Sequence, residues 1–183
     1  MVPAMYSQLA RIRSKLKERR GTLNPVAPEL EVLAFEARHG ISLPADYRLF
    51  LTELGNGGMG PPDHGLVPLG HTDSGVIVEE KALWSQLPFV ARPFPFTRYW
   101  VWEDGEVSEE GTAEQVGHGS VYLGHDGCGM LWHLIVSGAE RGVPWQLCGE
   151  GIQPVCPKRS FLQWYEDWLD GLDSFYGFPE SGA

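Results

Sequence analysis

Histidines and cysteines are the side chains of this sequence best suited to bind a metal ion. The chain contains His39, His64, His71, His118, His125 and His133, together with Cys128, Cys148 and Cys156. The spacing of His125, Cys128 and His133 could place three zinc ligands around one hairpin. The ligand pairs typical of zinc sites, CxxC and HExxH, do not occur in the sequence. We therefore expect no metal site and no cofactor, and we expect the histidines to lie in the core or on the surface.

Other arrangements of reactive residues lack the signatures that would support them. A cysteine and a histidine can form a nucleophilic pair, but no flanking motif indicates one here. The glycine-rich segment 57–60 lacks the Lys-Ser/Thr of a phosphate-binding loop and precedes two prolines. The adjacent carboxylates of Glu103 and Asp104 fall in a polar loop, where we expect too little burial to raise a carboxyl pKa. The sequence therefore predicts no catalytic residues and no enzyme activity.

The distribution of charge indicates which partners the chain can attract. The net charge is −10, but residues 1–20 carry +5 and residues 21–183 carry −15. No Lys or Arg lies between Arg98 and Arg141, and the acids of this interval are Glu103, Asp104, Glu106, Glu109, Glu110, Glu114, Asp126 and Glu140. Such a chain repels nucleic acid, whose binding requires cations that meet phosphates. It would attract a basic protein instead, unless the acidic surface serves only solubility.

The composition is that of a folded chain with a substantial core. Hydrophobic residues make up 43% of the chain and aromatic residues 11%, which excludes general disorder. No apolar run approaches the roughly 20 residues of a membrane span. The first residues lack the basic and apolar regions of a signal peptide, and three cysteines fit a reducing compartment better than a disulfide framework. We therefore expect a cytoplasmic protein without a membrane partner.

Hydrophobic periodicity predicts four helices, near residues 5–20, 29–39, 44–54 and 160–171. The apolar stripe of the first helix is Met5, Leu9, Ile12 and Leu16, and that of the second is Leu30, Leu33, Ala34 and Ala37. The third helix carries Tyr47, Phe50, Leu51 and Leu54, and the fourth carries Phe161, Trp164, Tyr165, Trp168 and Leu172. Ser160 and Gln163 have the spacing of a capping box at the start of the fourth helix. The first helix is also basic, so it either binds an acidic or membrane surface or docks on the body with its basic face in solvent.

Short strands are predicted between the third and fourth helices. Aromatic, β-branched or apolar runs mark residues 66–69, 76–78, 94–96, 99–102, 121–123, 130–136, 143–147 and 152–155. Asp126-Gly127 is a strong hairpin-turn dipeptide, residues 81–86 predict a helical turn, and residues 103–115 predict an exposed acidic loop. This order predicts a single α+β domain, in which N-terminal helices and a C-terminal helix pack on a mostly antiparallel sheet.

Two segments of the chain carry a recognisable residue pattern. The first segment contributes Phe35, Glu36, Gly40, Leu43, Pro44, Tyr47, Phe50, Asn56, Gly57 and Gly58, and the second begins with Asp126-Gly127-Cys128-Gly129 and contributes Gly127 and Gly129. With these residues the chain resembles the SUKH superfamily, which is also called the cell-wall-assembly regulator family. Each of these residues also has a structural reading of its own, as a helix anchor, a helix start or a turn. The resemblance divides the chain into an N-terminal helix and linker at 1–27, a SUKH-like domain at 28–172 and a tail at 173–183.

The resemblance implies a function that the residues alone do not. Members of this superfamily are typically immunity proteins that neutralise a secreted toxin, often a nuclease, by binding it directly. Other members are regulatory or scaffold proteins, and that is the alternative for this chain. The segment at 83–118 and the basic first helix depart from the family pattern, so the resemblance does not identify the partner.

The acidic interval and its aromatic neighbours are the predicted partner-binding surface. Trp100 and Trp102 share one face of a predicted strand, and Tyr99 and Val101 share the other. Trp and Tyr are common anchors in protein interfaces. The residues predicted to bind a basic partner are therefore Trp100, Trp102, Glu103, Asp104, Glu106, Glu109 and Glu110.

Overall fold

The structure, a computed structural model, describes residues 2–72, 89–102 and 108–172. Its helices in these ranges are α1 (Val2–Glu18), α2 (Glu29–His39), α3 (Ala45–Glu53) and α4 (Phe161–Leu169). Its strands are β1 (Trp100–Val101), β2 (Ser120–Gly127), β3 (Met130–Ile135), β4 (Pro144–Leu147) and β5 (Gly151–Pro154). The strands form one antiparallel sheet in the order β1-β5-β4-β3-β2. The predicted α+β architecture, with helices before the sheet and one helix after it, is confirmed.

Both faces of the sheet are buried, which explains the nearly continuous apolar run of β3. On one face, Trp132 and Leu134 belong to the core that includes α1, α3 and α4. On the other face, Trp145 packs edge-on against Phe94, with the ring centroids 4.8 Å apart, and Phe96 belongs to the same cluster. Since β3 lies between β2 and β4, its predicted central position is confirmed.

Helix α1 docks on α4 through the apolar stripe that its sequence predicts. Leu9, Ile12 and Leu16 are buried in the main core. Beside this stripe, Arg11 and Lys15 form ion pairs with Glu166 of α4. The basic face is therefore only partly in solvent, because two of its cations fix the contact between the first and last helices.

Helices α3 and α4 form the aromatic centre of the core. Phe50 of α3 lies 5.1 Å from Phe161 and 4.9 Å from Tyr165 of α4 between ring centroids. The predicted capping box opens α4, where Oε1 of Gln163 accepts a hydrogen bond from the Ser160 N–H at 3.1 Å. The prediction that Leu172 continues this stripe is wrong, because α4 ends at Leu169 and Leu172 is exposed.

Helix α2 exposes to solvent the apolar stripe from which the sequence predicts the helix. Leu30 is 78% exposed and Leu33 is 45% exposed, and Ala34 and Ala37 are exposed as well. The buried position of α2 is Val32, which lies on the opposite side of the helix. Apolar stripes on surface helices normally face the core, so this one is an exception.

Residues that carry the family resemblance connect α2, α3 and the loop between α1 and α2. Oε1 of Glu36 accepts a hydrogen bond from the Leu43 N–H at 2.7 Å, which fixes the turn between the two helices. Oδ1 of Asn56 accepts one from the Leu69 N–H at 2.8 Å. Gly58 has φ 110°, and an added Cβ would lie 2.8 Å from the Leu23 Cα. These contacts agree with the structural reading of the motif.

Several predicted strands and one predicted turn are wrong. Residues 66–69 and 94–96 form only single bridges, Leu66 with Gly58 and Phe94 with Gly138. The hairpin turn is Cys128-Gly129 rather than Asp126-Gly127, because β2 extends to Gly127, which pairs with Met130. Both turn residues have positive φ, 51° and 76°, as a two-residue type I′ turn requires. The predicted strand at 76–78 and helical turn at 81–86 lie outside the described residues.

Candidate partner-binding surface

Strand β1 places the predicted aromatic pair at one edge of the sheet. Trp100 pairs with Ile152 and Val101 pairs with Gly151 of β5. The two backbones approach closely at Gly151, where an added Cβ would overlap the Trp100 carbonyl oxygen. β1 is an edge strand of the described sheet, and an edge strand is a position at which a sheet can pair with another chain.

Three aromatic rings form a ladder along this edge. Trp100 stacks on Phe96 with centroids 5.4 Å apart, and it meets Trp102 edge-on at 5.4 Å. The indole N–H of Trp102 donates to the Gly149 carbonyl oxygen at 2.9 Å. Both tryptophans are half-buried rather than exposed. The exposed aromatic residue is Tyr99, at 39%, on the opposite face of the strand.

The indole nitrogen of Trp100 is a buried donor at this edge. Among the residues that the structure describes, Nε1 of Trp100 has no hydrogen-bond partner. A buried N–H without an acceptor costs about 1–3 kcal/mol.

Glu110 is part of the fold rather than a free surface charge. Its carboxylate accepts hydrogen bonds from the Thr97 N–H at 2.7 Å and from the Thr97 hydroxyl at 2.6 Å. Burial would raise the pKa of Glu110, but the Thr97 hydrogen bonds and the charge of Arg98 together hold it below its usual value. Glu110 therefore stays ionised and fixes the chain that leads into β1.

Glu109 rims a concavity beside the edge strand. This concavity has a volume of about 620 Å³ and is lined by Arg98, Tyr99, Trp100, Val101, Ser108, Glu109 and Glu110. The Glu109 side chain is 91% exposed, and it pairs with Arg98 at 3.7 Å. An ion pair this exposed contributes little, so the Glu109 carboxylate can exchange Arg98 for a cation from a partner.

A second cleft contains Trp102 and is rimmed by Glu114. Its volume is about 300 Å³, and its apolar lining includes Phe89, Val116, Leu131 and Leu147. The short 3-10 turn Ala113–Gln115 presents the exposed Glu114 carboxylate. The sequence predicts an irregular loop here, although Thr112 and Gln115 have the spacing of a capping box and form one. A cleft of this kind suits a long basic side chain, whose stem is apolar and whose end is charged.

The acids of the interval between Arg98 and Arg141 do not all converge on this surface. Asp126 accepts a hydrogen bond from the Trp132 indole N–H at 2.6 Å, and Glu140 pairs with Lys158 at 2.7 Å. Glu109 and Glu114 are the exposed acids of the interval among the described residues. Glu103, Asp104 and Glu106 lie outside the described residues, so their predicted place at the surface stays a prediction.

The three residues considered for zinc binding lie in different environments. His133 is buried, Cys128 is exposed at the hairpin turn, and the His125 ring stacks on His64 at 4.3 Å. Over residues 2–72, 89–102 and 108–172, no group of three His, Cys, Asp or Glu side chains is placed to hold a metal ion.

Ser120 and His133 form a buried serine–histidine contact that could be mistaken for a nucleophilic pair. Ser120 Oγ lies 2.9 Å from His133 Nδ1 and 2.6 Å from the Gly117 carbonyl oxygen. Since a carbonyl oxygen only accepts, the single hydroxyl hydrogen of Ser120 points to Gly117, and Nδ1–H of His133 donates to Oγ. In this arrangement the imidazole donates to the serine and holds it in place. This contact is not visible in the sequence, because the two residues meet only through the β2–β3 register.

None of the described helices is long and apolar enough to cross a membrane. Comparison with known proteins finds no match to this chain, whether among family models, curated proteins or solved structures.

Proposed function

We propose that this chain is a non-catalytic protein-binding domain of the immunity type, which neutralises a cognate toxin by direct binding. The observation that carries the proposal is the aromatic ladder at the edge strand of the described sheet, flanked by two clefts that Glu109 and Glu114 rim. The resemblance of the sequence to immunity proteins supplies the biological role.

The charge of the surface supports a basic partner. A nuclease toxin must carry cations to hold phosphate, so it cannot lose the surface that an acidic inhibitor recognises. Glu109 and Glu114 offer exposed carboxylates for this purpose, and the net charge of −10 adds a long-range attraction. Such complementarity mainly raises the association rate and enforces specificity.

The aromatic residues can provide the buried anchor that tight binding requires. Tyr99 is exposed beside the Glu109 concavity, and Trp102 lines the Glu114 cleft. Tyrosine and tryptophan combine a large apolar area with a polar group, and they dominate the binding energy of many interfaces. We therefore expect a partner to bury Tyr99 and to insert a basic side chain beside Trp102.

Competition between strains tests the toxin role even while the toxin is unidentified. A strain that lacks this protein should lose to its parent in mixed culture and should grow normally alone. Expression of the wild-type chain should restore survival, whereas Glu109→Lys/Glu114→Lys should restore it poorly. The matched control Glu18→Lys/Glu53→Lys reverses two exposed acids outside the surface and should restore it fully.

Two outcomes would contradict the immunity proposal. Equal survival of the deletion strain and its parent in mixed culture would do so directly. A growth defect of the deletion strain in pure culture, without any effect of the parent, would favour the regulatory or scaffold alternative.

A further inference from the structure

We propose that the exposed stripe of α2 is a self-association surface, on which two copies of this chain pair antiparallel about a two-fold axis. The stripe consists of Leu30, Leu33, Ala34 and Ala37, and Val26 in the preceding loop is also exposed, at 46%. This inference does not depend on the proposed binding of a toxin.

The stripe is complementary to itself in shape. In an antiparallel pair centred between Leu33 and Ala34, Leu30 of one copy lies opposite Ala37 of the other. Leu33 of each copy then lies opposite Ala34 of its partner, so every leucine meets an alanine. The small residues allow the helices to approach, and the large ones fill the space between them. A parallel pair would instead place leucine on leucine and leave gaps at the alanines.

The charges on one side of the stripe are complementary in the same register. Glu31 and Arg38 are exposed, and they lie seven residues apart, so they project from the same side of α2. Two-fold symmetry keeps this side of one helix beside the same side of the other, which places Arg38 next to Glu31 of the second copy, and the reverse. Their axial offset is about 3 Å, and helical side chains lean toward the N-terminus, which brings the two groups together.

The charges on the other side of the stripe do not disfavour this arrangement. It carries Glu29 and Glu36, which would approach each other across the two-fold axis. Both carboxylates already pair with Arg48 of their own chain. Their charges are therefore compensated before association.

The area of the stripe sets the strength of the contact. Leu30 to Ala37 spans only about 10 Å of helix, so the stripe is too short to bury the roughly 1,200 Å² of a stable interface. We therefore expect a dissociation constant of about 100 µM for the isolated chain. Such a dimer forms where the chain is concentrated or where a partner holds two copies together.

Sedimentation of the full chain, from about 10 µM to about 1 mM, tests the inference. The wild type should shift toward dimer, and Leu30→Glu should remain monomeric with an unchanged fold, because Leu30 makes so little contact in the monomer. The matched control Leu172→Glu also changes an exposed leucine and should behave as the wild type.

Charge exchange separates this dimer from any other contact. Glu31→Arg and Arg38→Glu should each weaken association about tenfold, because each creates two like-charge contacts. An equimolar mixture of the two variants should associate as strongly as the wild type, because the mixed dimer relieves the like-charge contacts of each variant. Glu18→Arg, which changes the net charge as Glu31→Arg does but lies outside the stripe, should have no effect.

Three results would overturn the inference. The first is a wild-type chain that remains monomeric at every concentration. The second is a dimer that Leu30→Glu and Glu31→Arg leave intact, which would place the contact elsewhere. The third is a monomer that Leu30→Glu destabilises strongly to urea, which would mean that another part of the same chain covers the stripe.

Discussion

Arg11 of α1 donates two hydrogen bonds to the carboxylate of Glu166 in α4, from Nε at 2.8 Å and from Nη2 at 2.9 Å. Gln8 and Lys15 donate to the same carboxylate, each at 3.0 Å. Glu166 of the last helix thus accepts hydrogen bonds from three side chains of the first helix. Residues 8, 11 and 15 lie on one side of α1, so the network holds the whole helix in place.

Glu166→Gln should lower the free energy of unfolding by about 1–2 kcal/mol at neutral pH. The hydrogen bonds from Arg11, followed by those from Lys15 and Gln8, outweigh burial and lower the pKa of Glu166 to about 2. Because the folded-state pKa is depressed, this stabilisation is complete above the unfolded-state pKa of about 4.3 and is lost as the pH falls toward 2.

Urea unfolding at pH 7 and at low pH measures this effect. The wild type and Glu166→Gln should differ at pH 7 and converge as the pH approaches 2. Glu29→Gln is the control, since Glu29 pairs with Arg48 at a more exposed position and should cost less. A constant difference between wild type and Glu166→Gln at all pH values would show that packing, not charge, is what the residue provides.

His133→Gln should reduce the dependence of stability on pH in a different window. Burial lowers the pKa of His133 to about 3, whereas an unfolded-state histidine titrates near 6.5. Between about pH 6.5 and pH 3, His133 is therefore protonated in the unfolded chain and neutral in the folded chain. The free energy of unfolding falls as the pH drops through this range. Removing His133 should lower that slope by up to about 1.4 kcal/mol per pH unit. Parallel curves for the wild type and the variant would contradict this account.

Gly151→Ala should loosen the edge strand that carries the aromatic ladder. The new methyl group would overlap the Trp100 carbonyl oxygen, which is backbone and cannot move without breaking the β1–β5 pairing. We expect a loss of about 1–3 kcal/mol and faster hydrogen exchange at the Trp102 amide, which donates to the Glu150 carbonyl oxygen. Gly149→Ala, where an added methyl group contacts nothing within 4 Å, is the control. Equal effects of the two substitutions would argue against the close approach.

The helices were predictable from the sequence, but the face that α2 buries was not. Its stripe of Leu and Ala has helical spacing, yet Val32, Phe35 and His39 have it too, at i, i+3 and i+7. Periodicity identifies a helix and cannot choose between two faces that share its period. The buried face is decided by contacts across the chain, such as that of Glu36 with the Leu43 N–H.

The candidate site was predictable in outline and not in its details. The region near 99–114 was predictable because aromatic residues of the kind that anchor interfaces lie next to a run of acidic residues there. The role of Glu110 was not visible, since its partner Thr97 is set by the conformation of the intervening loop. Counting acids along the chain therefore overestimates the exposed charge, because Asp126 and Glu140 serve the internal contacts of the fold.

Reversal of the two exposed acids should slow association with the cognate toxin. Glu109→Lys/Glu114→Lys removes the carboxylates that rim the two clefts, and it leaves Glu110, which the fold requires, in place. At low salt the association rate should fall about tenfold or more, and the difference should shrink as salt screens the charges. The dissociation rate should change less, because rim charges mainly steer the encounter.

Tyr99→Ala should show the opposite kinetic pattern. Tyr99 is 39% exposed, and a bound partner would cover its ring. Circular dichroism of the variant checks that the fold is unchanged. We expect a dissociation rate about tenfold higher with nearly the same association rate. Surface plasmon resonance at several salt concentrations separates the two effects, with Tyr6→Ala, also exposed, as the control. If both the charge reversal and Tyr99→Ala left the kinetics unchanged while the toxin was still bound, the partner would have to bind elsewhere, and the edge of the sheet would not be the binding surface.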